Sequence, residues 1–354
     1  MESLNIFNIE VFKTYENEKK LKFFYLAVFL FLLFLGFVFS INIGDFNFLF
    51  YKFLTNKYDE TEKYVFYNIR FLRSFSAIII GCGLGLSGAV LQAVLRNPMA
   101  SPYTLGISQG AAFGASFVII FLGGGFLSSL GEGVILKGYS VIIGAFIGSI
   151  TAILIIFFIS LLKSFSRNTI ILAGISVGAI FSSLTMFMQY FADDIKAAAT
   201  FFWTFGDISK SKWIMVYMLT PVLVISVFYF VLKGWHLNLF GFGADFLKNS
   251  GVNYKKIIIF SFIFVSLTVS LITSFVGIIG FVGLLAPHIA RFFSKGDKRF
   301  FIIYSFILGG LILLISDVLS RKLFYPSVIP VGIITSFFGI IVLLYIIFKG
   351  YDRD

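Results

Sequence analysis

The chain has 354 residues, of which 28 are Lys or Arg, 17 are Asp or Glu, and 59% are hydrophobic. Charged residues make up only 13%, about half the share of a soluble domain, and folding buries at most about three quarters of a chain's surface. This composition therefore excludes a soluble protein. The single Cys excludes an intrachain disulfide and a cysteine metal cluster.

Apolar blocks long enough to span a membrane follow a polar N-terminal segment, 1–22, that ends in several lysines. A spanning helix needs about 20 apolar residues. The first block, 23–39, is not followed by a cleavage site of small residues, so it predicts an uncleaved helix. Further low-charge blocks occupy residues 74–95, 103–122, 138–162, 169–192, 213–232, 257–290, 300–316 and 328–348.

The block 257–290 is too long for one upright helix, because a helix rises about 1.5 Å per residue and the apolar layer is about 30 Å thick. Glycines at 277, 280 and 283 interrupt it. It predicts a full helix, a glycine-rich bend and a short helix that ends near Pro287, which raises the number of spans to ten. Elsewhere, Gly81 and Gly85 lie four residues apart, a spacing that predicts close helix–helix contact in lipid.

The distribution of charge predicts the orientation. With the N-terminus in the cytosol and ten spans, the inner segments hold 17 of the 28 basic residues but only 8 of the 17 acidic ones. This excess is typical of cytoplasmic loops, whereas nine spans would place the basic segment 291–299 outside. Both termini are therefore predicted to be cytoplasmic. The net charge of +11 indicates topology and contact with lipid headgroups rather than a nucleic-acid surface.

Several function classes lack the residues that they need. A secondary transporter keeps an Asp, Glu or His near the membrane midplane, but here the blocks carry no carboxylate in mid-span, and Asp317 lies at the outer end of its block. A self-powered pump needs the GxxxxGK[ST] motif, which is absent. An enzyme needs a cluster of titratable residues, and the lone His288 is expected to be a hydrogen-bonded residue. Energy for transport would therefore come from a partner.

Two arginines, Arg70 and Arg73, lie three residues apart at the outer start of the second span and share one helix face. As structural residues they would be interfacial anchors whose side chains extend to the headgroups. As functional residues they would be exposed donors for an acidic partner, because a guanidinium binds a carboxylate through two hydrogen bonds. The sequence leaves both interpretations open.

The inner face carries a tight turn and a long loop. Pro98 and Pro102 end the second helix and set the turn. The loop, 233–256, fits a short helix over 244–250 with Gly251 as its stop. This helix would either lie in the membrane interface or fill a groove on a soluble partner, and the residues alone favour neither.

Three runs of residues indicate a known family when their order and spacing are considered together. They are RNPMASP followed by LGISQGA (96–111), GFVGLLAPHIAR (280–291), and SDVLSR followed by PVGIITSFFG (316–339). In this order and spacing they resemble the permease subunits of binding-protein-dependent ABC importers for iron–siderophore, haem and vitamin B12. This is the FecCD-like family of type II importers, and the resemblance covers about residues 20–350.

The resemblance implies an all-α integral membrane protein with ten transmembrane helices per subunit, in the type II ABC importer permease fold, that functions as a dimer. The permease domain would cover 23–349, between cytoplasmic segments 1–22 and 350–354, in the cytoplasmic membrane of a bacterium or an archaeon. Its partners would be two ABC ATPase subunits, an extracytoplasmic binding protein and a second permease subunit, identical or a paralogue. The chain itself would bind no cofactor and no metal and would catalyse no reaction, since the ATPases use ATP and Mg.

The implied function is import of a ferric siderophore, powered by the separate ATPase. Import of haem or vitamin B12 by the same fold is the alternative, and a stand-alone secondary transporter is a much weaker one. The sequence does not distinguish these cargoes, because the family's motifs are common to all of them.

The resemblance also assigns roles to residues. The ATPase-coupling residues are Phe242, Gly243, Ala244, Leu247, Gly251 and Val252. The residues that dock the binding protein are Arg70, Arg73 and Arg321. The residues of the cytoplasmic gate are Asn97, Met99 and Asn168. Leu72 stands where the family usually has proline, so the start of the second helix is expected to be less fixed.

Overall fold

The structure is a computed structural model that describes residues 2–43, 49–55, 59–124, 134–163, 165–240, 251 and 253–348. These residues form helices, and their β-structure is limited to one isolated bridge between Phe205 and Ile278. The helices are α1 (Glu2–Asn42), α2 (Leu49–Leu54), α3 (Glu60–Tyr64), α4 (Leu72–Leu95), α5 (Ile107–Phe121), α6 (Val134–Leu162), α7 (Arg167–Tyr190), α8 (Asp194–Thr204), α9 (Trp213–Leu232), α10 (Gly234–Leu239), α11 (Tyr254–Val276), α12 (Val282–Ser294), α13 (Lys298–Lys322) and α14 (Val331–Phe348).

The chain is an all-α membrane protein, as its composition predicted. Seven helices among the described residues are long and apolar enough to cross a membrane, and two shorter apolar helices, Ile107–Phe121 and Val331–Tyr345, accompany them. Helix α12 is only 13 residues long, about 20 Å, which is less than the apolar layer of a bilayer. The count of ten spans therefore stays a prediction. The polar segment 1–22 continues into the first span, since α1 begins at Glu2.

The apolar block after residue 256 is divided as the glycines predicted. Helix α11 ends at Val276, and Gly277 adopts φ +80°, a backbone conformation that favours glycine. The predicted end near Pro287 is wrong, because α12 continues to Ser294. Proline removes only one helical hydrogen bond, and the Gly283 carbonyl that it frees lies against Gly88 of α4, where an added Cβ would clash.

Helix α4 lies at the centre of the structure, and every residue from Ile79 to Leu95 is buried. It meets α13 backbone to backbone, because a Cβ on Gly81 or Gly85 would overlap the main chain of Gly309 or Ser305. In lipid the hydrophobic effect gives helices little attraction, so small residues stabilise a contact by letting the backbones approach. The glycine spacing predicted this type of contact.

The two ends of the bundle are identified by the helix termini that meet there. At one end, which we call the outer face because the charge pattern predicts it to be outside, the end of α1 and the end of α13 meet the start of α4. At the other, the inner face, the Tyr304 hydroxyl donates to the Lys22 carbonyl at 2.6 Å, and Lys22 Nζ lies 3.9 Å from Asp297. Burial opposes ionisation of Asp297, but the hydrogen bonds from Arg299 and the charges of Arg299 and Lys22 together outweigh burial and lower its pKa.

Replacement of Gly85 by Ala is expected to destabilise the fold, because the new Cβ would overlap the Ser305 carbonyl, which cannot rotate away. Overpacking of this kind costs about 1–3 kcal/mol, which should lower the midpoint of thermal unfolding in detergent. Gly280→Ala is the matched control, because its Cβ would meet only the Ser336 hydroxyl at 3.5 Å. Equal midpoints for the two variants would contradict the close contact.

Candidate functional site

Two arginines share one carboxylate at the outer face. Arg73 Nε lies 2.8 Å from Asp317 Oδ1, and Arg321 Nη2 lies 2.9 Å from Asp317 Oδ2. Asp317 is fully buried, at 0% exposure. Arg321 also donates to the Ser40 hydroxyl at 2.6 Å and to the Ser40 carbonyl at 3.1 Å. We call these four residues the outer arginine cluster; it joins α1, α4 and α13 and carries one more positive than negative charge.

The C-terminus of α1 is capped by arginines. The last four carbonyls of a helix lack partners within that helix, and they form the negative end of its dipole. Arg70 Nη1 donates to the Ile41 carbonyl at 3.2 Å, and Arg321 donates to the carbonyl of Ser40, both in the last turn of α1. These contacts place positive charge where the helix dipole favours it.

Arg70 lies on a π-helical turn, Val65–Phe71, that connects α3 to α4. The helix therefore starts well before the predicted span. Asp59 caps this start, since its side chain accepts from the Glu60 amide at 2.9 Å and forms a capping box with Glu62. The helix does not start at Leu72, because with no proline there the backbone stays helical through this residue.

The sequence left open whether Arg70 and Arg73 are interfacial anchors or exposed donors, and in this structure both are largely buried. Arg70 is 8% exposed, and the side chains of Arg73 and Arg321 are 15% and 12% exposed. All three have partners within the chain. The sequence argument considered only one helix face, whereas Asp317 lies 244 residues away from Arg73 along the chain. Whether the same arginines dock a binding protein stays a prediction.

At the inner face, the predicted gate residues Asn97 and Met99 lie in one turn. Asn97 Oδ1 accepts from the Met99 amide at 2.9 Å, a short side-chain-to-backbone bond that stabilises turns. Met99 is 45% exposed. Asn168 is exposed in the first turn of α7, and no hydrogen bond joins it to this turn. The first half of α7 nevertheless packs near this turn, since Gly174 and Gly178 lie against the backbone of Leu105 and Gly106.

The predicted coupling residues Phe242, Gly243, Ala244, Leu247 and Val252 lie outside the described residues. Gly251 is described: it is exposed and adopts φ +70°, which suits the predicted role of a helix stop.

The start of the inner loop 233–256 is attached to the start of α13. Asn238 Oδ1 of α10 accepts from the Lys298 amide at 2.9 Å, and the Arg299 guanidinium lies 4.5 Å from the centre of the Trp235 ring. Gly234 allows this approach, since a Cβ there would overlap the Arg299 side chain. A hydrogen bond and a cation–π contact therefore connect the base of the loop to α13.

A polar pair connects α4 to α12 in the inner half of the bundle. Arg291 Nη2 donates to Gln92 Oε1 at 3.2 Å, and Gln92 is 3% exposed. His288, one turn earlier, has its Nδ1 2.9 Å from the Leu284 carbonyl. It is therefore a buried, hydrogen-bonded residue, as the sequence argument favoured.

A model of the FecCD transport family matches residues 25–349, which is most of the chain and includes both faces described above. The chain belongs to this family. A Methanocaldococcus jannaschii protein named as an ABC transporter permease is 38% identical over 98% of this chain and 100% of its own length. The Fe(3+) dicitrate transport system permease protein FecC of Escherichia coli is 34% identical over 77% of this chain and 79% of its own.

A more distant relative and a solved structure extend the match. The hemin transport system permease protein HmuU of Yersinia pestis is 28% identical over 93% of this chain and 96% of its own. A structure described as an inward-facing metal-chelate type ABC transporter superposes with a TM-score of 0.79 at 25% identity. It covers 92% of this chain and 99% of the other. The fold of this FecCD-family chain is therefore that of a transport permease.

The sequence argument missed the residues that complete the outer arginine cluster. Asp317 was noted only for its position at the end of a span, although Asp317 and Arg321 are four residues apart on one helix, a spacing at which side chains meet. That spacing was the available signal. Ser40 gave none, because a serine in an apolar helix is common and its partner is distant in sequence.

Replacement of Asp317 by Asn is expected to destabilise the protein by about 3 kcal/mol, because two largely buried arginines would lose their shared counter-ion. Thermal unfolding in detergent measures this. Asp193→Asn is the matched control: it removes a carboxylate that is 80% exposed and lies 3.5 Å from Lys196, and exposed pairs contribute at most about 1 kcal/mol. If both variants have the same midpoint of thermal unfolding as the wild type, the outer arginine cluster does not stabilise the fold.

Proposed function

We propose that this chain is the transmembrane permease subunit of an ABC importer that moves a ferric siderophore across the cytoplasmic membrane. The observation that carries the proposal is the family match over residues 25–349. It is supported by two relatives named as permeases for hemin and for ferric dicitrate, which are matched over 96% and 79% of their own length. The chain is a transport subunit, and hydrolysis of ATP with Mg belongs to separate ATPase subunits.

The choice of cargo follows from the chemistry of these relatives. Iron-uptake, ferric hydroxamate and ferric citrate permeases occur among them beside the hemin permease. All of these names specify iron or an iron-containing compound, so ferric chelates are the favoured class. Hemin, a flat aromatic chelate, is the second candidate, and vitamin B12 the third.

The outer arginine cluster is proposed as the docking point for the extracytoplasmic binding protein. Arg73 and Arg321 keep part of their surface exposed, and a guanidinium has five donors, more than Asp317 can engage. The net positive charge of the cluster favours a carboxylate from the partner. Arg70 would support the contact by holding the end of α1 in place.

The loop with Phe242, Gly243, Ala244, Leu247, Gly251 and Val252 is proposed as the contact with the ATPases. When the two ATPases close on ATP, the loop would move, and its base would move α13 through Asn238 and Trp235. Helix α13 ends in the outer arginine cluster, so one helix would connect the motor to the docking point. Asn97, Met99 and Asn168 are proposed to close the inner end of the path.

The assembly is proposed to hold two permease subunits, two ATPases and one binding protein, with both permease termini in the cytosol. The permease domain would cover 23–349, and the permease itself would need no cofactor. Reconstitution with the ATPase and binding protein in proteoliposomes tests this. ATP-dependent uptake of radiolabelled ferric siderophore, compared with haemin and cobalamin, is the expected result. Uptake that needs an ion gradient but no ATP would instead indicate a secondary transporter.

Replacement of Leu247 by Asp is expected to reduce ATP-dependent uptake about tenfold or more, because a carboxylate would be buried without a partner in the ATPase groove. ATP hydrolysis by the complex should continue or fall less than uptake does. Lys163→Asp is the matched control, since it places a carboxylate at an exposed position of another inner loop. Wild-type uptake by the Leu247 variant would refute the coupling role.

A further inference from the structure

A cavity of about 590 Å³ lies at the outer face between α5, α6, α8 and the end of α11. The chain direction gives its position: α5 starts at the inner turn and its end lines the cavity, as does Pro330, which follows the outer end of α13. The aromatic residues of its wall are Phe202, Trp203, Phe205 and Phe275. The charged residues of its wall are Asp207, Lys210 and Lys212.

The rim of this cavity is built on backbone contacts. The Asp207 amide donates to the Val276 carbonyl at 2.8 Å, and the Gly332 amide donates to the Gly206 carbonyl at 2.9 Å. Gly206 has to be small, because a Cβ there would overlap the Ile278 carbonyl. These contacts fix the segment with Gly206 and Asp207 to the end of α11 and the start of α14. The site is therefore formed before any ligand binds, as is usual for small-molecule sites.

Lys210 is the unusual charge in the cavity. No carboxylate of the described residues lies within ion-pair distance of its ammonium. Asp207 is near, and its two carboxylate oxygens also accept from the Ser209 amide at 2.8 Å and the Ser209 hydroxyl at 2.6 Å. Burial lowers the pKa of Lys210, and the charge of Asp207 opposes this only in part. A partly buried cation that has no carboxylate within ion-pair distance is less well stabilised than a paired one, and an anion in the cavity would improve its environment.

The rest of the wall restricts what such an anion can be. Lys212 lies at the rim, where its Nζ is 4.5 Å from the centre of the Tyr139 ring, so the two lysines exceed Asp207 by one charge. The remaining surface is mainly apolar and aromatic. It suits a ligand that has an apolar or aromatic body and an anionic group at one side, rather than a small free anion.

We propose that this cavity binds an amphiphilic anion, with its carboxylate or phosphate at Lys210 and Lys212 and its apolar part among the aromatic rings. Two sources supply this chemistry at the outer face of a membrane. One is a carboxylate-bearing metal chelate, an identification that rests on the proposed transport function. The other is an anionic phospholipid of the outer leaflet.

Quenching of Trp203 fluorescence tests the site directly, because this residue lines the cavity. The full chain, with Trp213 and Trp235 replaced by Phe to leave one reporter, is placed in lipid nanodiscs. Haemin, an aromatic dicarboxylate, is the chelate probe. Brominated phosphatidylglycerol is the anionic lipid probe, and brominated phosphatidylcholine is its control without net charge. Saturable quenching by haemin, or stronger quenching by the anionic than by the neutral lipid, is expected.

Lys210→Gln is expected to weaken the binding of the effective probe about tenfold or more, because a charge-assisted contact is lost. Lys210→Arg should retain most of the affinity. Lys196→Gln is the matched control: it removes a lysine on α8 that lies outside the cavity and is paired with Asp193. Ala199→Phe fills the cavity without changing its charge and should also abolish binding, so it decides the test if Lys210→Gln does not fold.

Each outcome decides the proposal. If Lys210→Gln weakens the binding of haemin alone, the ligand is a chelate. If it weakens the binding of the anionic lipid alone, the ligand is a phospholipid headgroup. Either result supports the site. Absence of quenching by either probe, or unchanged affinity in both the Lys210→Gln and Ala199→Phe variants, overturns it. The measurement uses no ATPase and no binding protein. If the reconstituted complex shows no ATP-dependent uptake while the quenching of Trp203 is intact, the result would therefore count against the proposed transport function and not against this site.

Discussion

The close contact between the backbones of α4 and α13 is the interaction on which the rest of the structure depends. Gly81 and Gly85 of α4 lie against Gly309 and Ser305 with no room for a side chain. Because lipid gives helices little hydrophobic attraction, this contact relies on dispersion between main chains, which fades within a fraction of an ångström. It fixes the rotation and height of α13, and thereby places Asp317 within hydrogen-bond distance of Arg73.

Helix α13 consequently connects the two faces of the bundle. Its start is bonded to the base of the inner loop at Asn238, and its last turns carry Asp317 and Arg321. An uninterrupted helix of 25 residues is about 37 Å long and behaves as a stiff element. A force applied at its inner end reaches the outer arginine cluster without passing through a flexible segment. In the proposed coupling, thermodynamic reciprocity requires that a partner that shifts the cluster would also shift the loop.

Composition and local spacing predicted the fold class, the bend at Gly277 and the glycine contacts of α4, because these depend on neighbours a few residues apart. Local spacing did not decide the setting of Arg70 and Arg73. Their burial depends on Asp317 and on the end of α1, which are distant in sequence, and one sequence contains no signal for such pairing. The position of Lys210 in the wall of an aromatic cavity was equally unpredictable, since that cavity is formed by segments that are distant in sequence.

In the part of the outer face that the structure describes, two places have more positive than negative charge, and they differ in chemistry. Arg321 contributes to the fold through Ser40 and Asp317, and a guanidinium stays charged at any physiological pH, so the outer arginine cluster is permanently positive. Lys210 contributes no ion pair to the fold, and burial makes its charge easier to lose. An anion that binds beside it favours the protonated form, so binding and protonation at this lysine reinforce each other. The cluster is thus suited to bind a carboxylate side chain at any physiological pH. The cavity is suited to a ligand that binds reversibly.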